Sequence, residues 1–195
     1  MDDAALLEPG TCQIEAWFER ERSNARNVLH LGPGCRVGPV DVELSLDRVR
    51  VVDRRSINIV GAQVKWASDL GLGLSGGVVA AVLGADRSPR FRGSSVIVPL
   101  TWRPYDTLLV HLNAGRDLKN RDADSTRLGV ALEWAPLSSG SFVAERFKDS
   151  RSNFWRIGAR WHLRTSMSLD VSRATGLNED SPPWWTLGLN WQFGR

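Results

Sequence analysis

Hydrophobic and polar positions alternate one by one along most of the chain. The clearest runs cover residues 108–115, 128–134, 155–162 and 185–193. Successive side chains of a β-strand point to opposite faces, so a period of two predicts strands with one apolar and one polar face. Helical spacing is not sustained anywhere, and glycine and proline interrupt the chain too often for helices of ordinary length.

The alternation predicts an all-β protein of about twelve strands, with ten as the fallback count. The predicted strands cover roughly residues 11–20, 27–36, 39–49, 56–67, 70–83, 94–103, 107–117, 125–135, 140–148, 153–163, 166–174 and 184–193. We expect residues 1–10 to form an N-terminal tail and residues 11–195 to form a single barrel domain.

The connections between the predicted strands alternate in character. Short connections fall at residues 68–69, 104–106, 137–139 and 164–165. Longer, charged connections fall at residues 21–26, 84–93, 118–124, 149–152 and 175–183. Short turns at one end and longer loops at the other are typical of outer-membrane barrels. The pattern therefore predicts an antiparallel up-and-down transmembrane β-barrel.

The tryptophans separate a transmembrane barrel from a soluble one. Five of them fall near the C-terminal ends of even-numbered strands, on the short-turn side: Trp66, Trp102, Trp134, Trp161 and Trp191. Indole joins an apolar body to an N–H donor and favours the headgroup layer, so we expect an aromatic girdle there. Candidates for the opposite girdle are Trp17, Phe18, Trp155 and Trp185. The alternative is a soluble, lipocalin-like barrel that buries its tryptophans in a core.

The composition excludes a helical membrane protein. Of the 195 residues, 42% are hydrophobic and 24% are charged, and the mean hydropathy is −0.24. A transmembrane helix needs about 20 consecutive apolar residues, whereas the longest uncharged stretch, residues 70–85, has 16 and alternates glycine with leucine at its start. A barrel strand gives half its positions to a polar interior, so low hydropathy does not argue against a barrel.

The charges are spread along the chain. The net charge is +3, and 22 arginines and 3 lysines are interleaved with 22 acids. Nucleic-acid-binding proteins concentrate basic residues on one face, so we do not expect a nucleic-acid partner. The start of the chain has no basic or apolar signal-peptide region. We expect either a cytosolic protein or a mature form whose signal peptide is absent, and the barrel pattern favours the mature form in the outer membrane of a Gram-negative bacterium.

The end of the chain resembles the last strand of Gram-negative outer-membrane barrels. Residues 184–193 read Trp-Trp-Thr-Leu-Gly-Leu-Asn-Trp-Gln-Phe, and Gly194 and Arg195 follow the aromatic that usually ends such strands. This resemblance implies recognition by the barrel-assembly machinery. His-Leu-Asn-Ala-Gly at 111–115, Gly-Val-Ala-Leu-Glu at 129–133 and Ser-Leu-Asp-Val at 168–171 are similar to outer-membrane transporters of the phenol-degradation (MetA-pathway) type. Thr-Cys-Gln-Ile-Glu at 11–15 is similar to uncharacterised relatives.

The two cysteines, Cys12 and Cys35, are equidistant from the predicted turn at Ser23 and Asn24. They therefore face each other on adjacent antiparallel strands, at a separation that a disulfide can span. We expect a disulfide, which fits an oxidising periplasmic route; the alternative is two free thiols in a cytosolic protein. Two cysteines without a nearby histidine pair indicate no metal site.

The polar face of the strands predicts a lumen with charges of both signs. The candidate lumen and constriction residues are Arg103, His111, Glu133, Glu145, Arg156, Arg160, His162 and Asp170. The register estimated from the turns places His111 near Glu133, Glu145 near Arg156, and Arg160 and His162 near Asp170. Two interpretations stay open: an ion-paired network that braces the barrel wall, or a solute path.

A narrow passive channel or transporter for small solutes is the function that these features favour. One alternative is a structural or surface-interaction barrel with a plugged lumen. A second is an outer-membrane lipid hydrolase or deacylase, which needs a serine beside a histidine. None of His30, His111 and His162 has a serine two residues later.

The expected partners are the lipid bilayer, lipopolysaccharide and a small solute. Arg87, Arg90 and Arg92 crowd the loop before the sixth strand. Their guanidinium groups suit lipopolysaccharide phosphates, although a simply solvated loop explains them as well. The sequence indicates no cofactor.

Overall fold

A computed structural model describes residues 3–22, 25–149, 152–178 and 181–194. The strands are β1 (Thr11–Glu21), β2 (Arg26–Val37), β3 (Val40–Val51), β4 (Ile57–Gly71), β5 (Leu74–Ala85), β6 (Phe91–Tyr105), β7 (Leu108–Lys119), β8 (Ser125–Leu137), β9 (Gly140–Asp149), β10 (Ser152–Arg164), β11 (Met167–Gly176) and β12 (Trp184–Gly194). Each pairs antiparallel with its chain neighbours, and β1 pairs with β12. The predicted twelve-stranded barrel is confirmed.

Closure of the sheet satisfies the backbone groups of every strand. The pairing of β1 with β12 runs from Thr11 opposite Gly194 to Glu21 opposite Trp184, over the whole length of both strands. A closed sheet has no free edge, which a chain surrounded by lipid requires. Among the described residues, no helix is long and apolar enough to cross a membrane.

The outer face of the barrel carries the large apolar side chains. Leu44 is 59% exposed, Val60 52% and Leu132 49%, and each is flanked by less exposed residues that point inward. A soluble barrel has the opposite polarity, with bulky apolar side chains inside. The soluble, lipocalin-like alternative is therefore wrong, and the barrel has the polarity of a transmembrane protein.

The two ends of the barrel differ in their connections. At one end, the turn end, each connection between strands has two residues, as at residues 38–39 and 138–139. At the other, the loop end, connections have from two residues (150–151) to seven (177–183). In outer-membrane barrels short turns face the periplasm and longer loops face outward.

One predicted boundary is wrong. The turn between β4 and β5 was expected at residues 68–69 but lies at Leu72 and Gly73. Gly71, Leu72 and Gly73 all have positive φ, at 86°, 56° and 74°. Leucine is uncommon in this left-handed conformation, and the alternation of leucine with glycine hides the turn.

Candidate functional site

A cavity of about 910 Å³ lies inside the barrel. Near the loop end its lining includes Glu19 of β1 and Thr186 of β12. At the turn end it includes Gln192 of β12 and Thr165 of the β10–β11 turn. Because residues from both ends of the barrel line one cavity, the cavity follows the barrel axis.

Residues 3–8, which we call the lumen segment, run from the cavity towards β1. The sequence predicted an N-terminal tail for residues 1–10. Within the described residues, the Lys65 ammonium donates to a carboxylate oxygen of Asp3 at 2.6 Å. The amide of Ala4 donates to the Thr101 hydroxyl at 2.9 Å, and Ala4 is 4% exposed. The segment is thus attached to the inner wall of β4 and β6.

The far end of the lumen segment is held by β2 and β3. The amide of Leu7 donates to Oδ2 of Asp41 at 3.0 Å, and Arg36 donates to the Leu7 carbonyl at 3.0 Å. The segment itself lines the cavity through five of its residues, Asp3, Ala5, Leu6, Leu7 and Glu8. It therefore narrows the lumen at the turn end.

A chain of hydrogen bonds extends from the lumen segment into the wall. Thr101, which accepts from Ala4, also shares a hydrogen bond with Nδ1 of His111 at 3.0 Å. Nε2 of His111 lies 3.6 Å from Glu133, the neighbour expected from the register. Glu133 accepts from the Ser141 hydroxyl at 2.6 Å. This network joins β6, β7, β8 and β9 beneath the segment.

Two ion pairs lie on the cavity wall formed by β9, β10 and β11. Nη2 of Arg156 is 2.6 Å from Glu145, which is only 6% exposed, and the guanidinium lies 5.2 Å from the Phe147 ring centroid. Nε of Arg160 donates to Asp170 at 2.6 Å. All four charged side chains line the cavity. Each cation is held by a carboxylate on the neighbouring strand, as the register predicted.

Three of the candidate lumen residues do not line the cavity: Arg103, His111 and Glu133. His111 and Glu133 lie in the wall network described above. Arg103 is exposed and lies at a register shift of β6, between Trp102 and Tyr105 at the turn end. Its assignment to a constriction is corrected accordingly. His162 lines the cavity, but it faces Ser168 across the sheet and not Asp170.

Trp17 is an inward residue that the sequence interpretation placed in the outer girdle. It lines the cavity and stacks on His30 with ring centroids 4.6 Å apart and an interplanar angle of 5°. Nδ1 of His30 lies 2.6 Å from Asp47. A Cβ at Gly32 would come within 2.8 Å of Nε2 of His30, so glycine leaves room for this ring. Trp17 stands two residues after Glu15 on β1, so the alternation of the strand could have placed both side chains on the inward face.

The five tryptophans predicted as a girdle all lie on the outward face near the turn end. They are 44–59% exposed. Four of them stand three residues before the end of an even-numbered strand, and Trp66 stands opposite the first residue of β3. The girdle itself remains a prediction.

The predicted disulfide is confirmed. Cys12 and Cys35 face each other in the β1–β2 register and are bonded. The bond staples the first hairpin near the turn end. The described residues contain no group of three or more histidine, cysteine, aspartate or glutamate side chains that could hold a metal ion.

A closed twelve-stranded barrel with an apolar outer face and a polar cavity gives this protein the fold of outer-membrane β-barrels. The chain belongs to the family described as uncharacterised conserved protein UCP029691, whose model matches residues 1–193. A search of curated protein sequences finds no match.

Solved outer-membrane channels share the fold at low sequence identity. The KdgM porin superposes with a TM-score of 0.76 at 10% identity, covering 93% of this chain and 99% of that chain. The NanC porin gives 0.69 at 11% identity, covering 91% and 98%. The COG4313 outer membrane channel from Pseudomonas putida F1 gives 0.67 at 11% identity, covering 98% of both chains. The structural neighbours are therefore barrels that form channels; the phenol-degradation relationship is not established by them.

Proposed function

We propose that this protein is a narrow passive channel for small polar solutes in the outer membrane of a Gram-negative bacterium. The observation that carries the proposal is the cavity of about 910 Å³, whose lining joins polar residues from both ends of the barrel. A twelve-stranded barrel lies between filled eight-stranded barrels and open porins in width. The lumen segment and the inward ion pairs narrow it further.

The charge of the cavity favours small cations and zwitterions over polyanions. Each of Lys65, Arg156 and Arg160 contacts a carboxylate at 2.6 Å, so its charge is offset locally. The carboxylates of Glu15 and Asp41 line the same cavity. Asp41 accepts a hydrogen bond from the neutral amide of Leu7 and makes no ion pair shorter than 4 Å with another described residue. One solved KdgM structure is described as a complex with disordered oligogalacturonate, and we do not extend that polyanionic ligand to this chain.

Planar-bilayer recordings and liposome-swelling assays on the refolded barrel test the proposal. Arg156→Gln removes an inward cation, and Arg146→Gln removes an outward one on the adjacent strand as a matched control. We expect wild-type conductance above the leak, a reversal potential shifted towards cations in R156Q, and no shift in R146Q. If the folded wild type shows neither conductance nor solute uptake, the channel proposal is refuted.

The lumen segment supports a second candidate, a barrel that rests in a largely closed state. Four polar contacts attach it to β2, β3, β4 and β6 at the turn end. A plugged structural barrel would show no conductance even at high voltage, whereas a channel narrowed by the segment would conduct weakly.

We do not favour a lipid-modifying enzyme. The described hydroxyl that a histidine contacts is that of Thr101, which already accepts a hydrogen bond from Ala4 inside the barrel. An enzyme acting on lipids needs its nucleophile open to the substrate. We further propose that the last strand, which ends near Phe193, is read by the barrel-assembly machinery during insertion.

A further inference from the structure

Two arginines on the outward face are held over indole rings near the loop end. Arg146 of β9 and Arg173 of β11 each lie three residues before the end of their strands, and both are exposed. Cζ of Arg146 is 5.7 Å from the centroid of the Trp155 ring, and Cζ of Arg173 is 5.4 Å from that of Trp185. Such stacking holds a guanidinium over an aromatic face.

The register makes one continuous patch of these residues. Trp155 stands directly opposite Arg146, and Trp185 stands between Arg173 on β11 and Arg20 on β1. The patch therefore crosses four adjacent strands, from β9 to β12. The two pairs are offset by two residues along the strands, since Trp155 stands opposite Thr175 and Arg173 stands opposite Ile157. Two strand spacings and this offset separate Arg146 from Arg173 by about 12 Å.

Arg146 and Arg173 lack an acidic partner within the part of the chain that the structure describes. Each guanidinium contacts an indole ring instead. Arg116 makes the contrast clear, since it occupies the same position on β7 but lies 3.3 Å from Asp124. An arginine on the lipid-facing surface is tolerated near an interface, where its charge meets headgroups.

We propose that this patch, formed by Arg146, Trp155, Arg173 and Trp185, binds the phosphate groups of lipid A in the outer leaflet. The guanidinium fork matches a phosphate with two hydrogen bonds. The indole rings place an apolar body and an N–H donor at the boundary between acyl chains and headgroups. Two guanidinium sites on one face suit a disaccharide that carries a phosphate at each end. The inference rests on the proposed outer-membrane location, which puts the loop end in the leaflet that contains lipopolysaccharide.

Native mass spectrometry of the refolded barrel in detergent tests the patch, with bisphosphorylated lipid A as the probe. The test variant is R146Q/R173Q. The matched control is R48Q/R50Q, which removes two exposed outward arginines at the same end, on β3 and four strands away from β11. Heat-modifiable mobility on gels verifies that each variant folds.

We expect R146Q/R173Q to bind lipid A at least 10-fold more weakly, and R48Q/R50Q to stay within about twofold of the wild type. We also expect monophosphorylated lipid A to bind the wild type more weakly than the bisphosphorylated form. Equal losses in both variants, or equal binding of phosphatidylglycerol, would overturn the proposal in favour of unspecific charge attraction. Conductance in phospholipid bilayers free of lipopolysaccharide tests the channel separately, so failure of either proposal leaves the other distinguishable.

Discussion

Deletion of residues 3–8 is expected to open the lumen. The lumen segment lies at the turn end of the barrel and is attached to the walls by side chains that remain in place without it. All twelve strands keep their pairing partners in the deletion variant, because β1 begins at Thr11. The variant should therefore fold and conduct ions better than the wild type.

The size of the effect follows from volumes. Strand spacings of about 3.4, 4.8 and 10 Å give each extended residue about 160 Å³, so six residues occupy about 1000 Å³. The free cavity has about 910 Å³. Removal of the segment thus roughly doubles the free volume of the lumen. The added volume lies at the turn end, where the segment narrows the lumen, and we expect a rise of about twofold in single-channel conductance.

Single-channel recording in planar bilayers is the assay. The matched control removes residues 121–123, which are exposed in a connection at the loop end and do not line the cavity. We expect the control to conduct as the wild type does. Lys65→Gln weakens one attachment and keeps the segment. The single-channel conductance of this variant should alternate between that of the wild type and that of the deletion variant. Equal conductance of the folded deletion variant and the wild type would refute the placement of the segment in the conducting path.

The remaining predictions concern stability and selectivity. Replacement of Cys12 and Cys35 by serine should lower the free energy of unfolding by about 2–4 kcal/mol in urea titrations, and an unchanged midpoint would contradict a stabilising staple. Leu132→Arg should lower it by about 2–4 kcal/mol, whereas Leu137→Arg beside a turn should cost about 1 kcal/mol or less. Equal costs would argue against lipid contact at mid-strand. Glu15→Gln removes a cavity carboxylate and should move the reversal potential in a KCl gradient towards anions; an unmoved potential would show that permeating ions do not sense this group.

The barrel could be predicted from the sequence because its strands follow one local pattern, the alternation of inward and outward side chains. Alternation fixes which side chains point outward, as Leu132 and Trp134 illustrate, and closure follows once twelve strands pair with their neighbours. The disulfide was predictable for the same reason, since the turn position alone sets the register that brings Cys12 opposite Cys35. The ion pair of Arg156 with Glu145 also follows from hairpin register.

Features that depend on non-local contacts or irregular backbone could not be read in this way. Residues 3–8 show no alternation, and their partners, such as Lys65 and Thr101, are far away in the sequence. Arg103 lies at a register shift of β6, between Trp102 and Tyr105, where alternation along the strand no longer predicts the position of a side chain. Trp17 was misplaced for a different reason. Its residue type suggested the aromatic girdle, but its position in the alternation of β1 places its side chain inside the barrel.

Packed side chains of β5 and β6 and the lumen segment occupy one side of the lumen. A solute would therefore contact the residues of the other side. Inward residues of β5 and β6 are packed, with Val79 1% and Ile97 7% exposed, and the lumen segment rests on Thr101 of the same wall. Of the described residues, none from β5 lines the cavity, whereas β9 to β12 and β1 line it along their length. Substitutions on the inner face of β5 should therefore change stability and leave conductance alone. Substitutions of Arg160 or its neighbours on β10 to β12 should change conductance with little loss of stability, because they face the free part of the lumen.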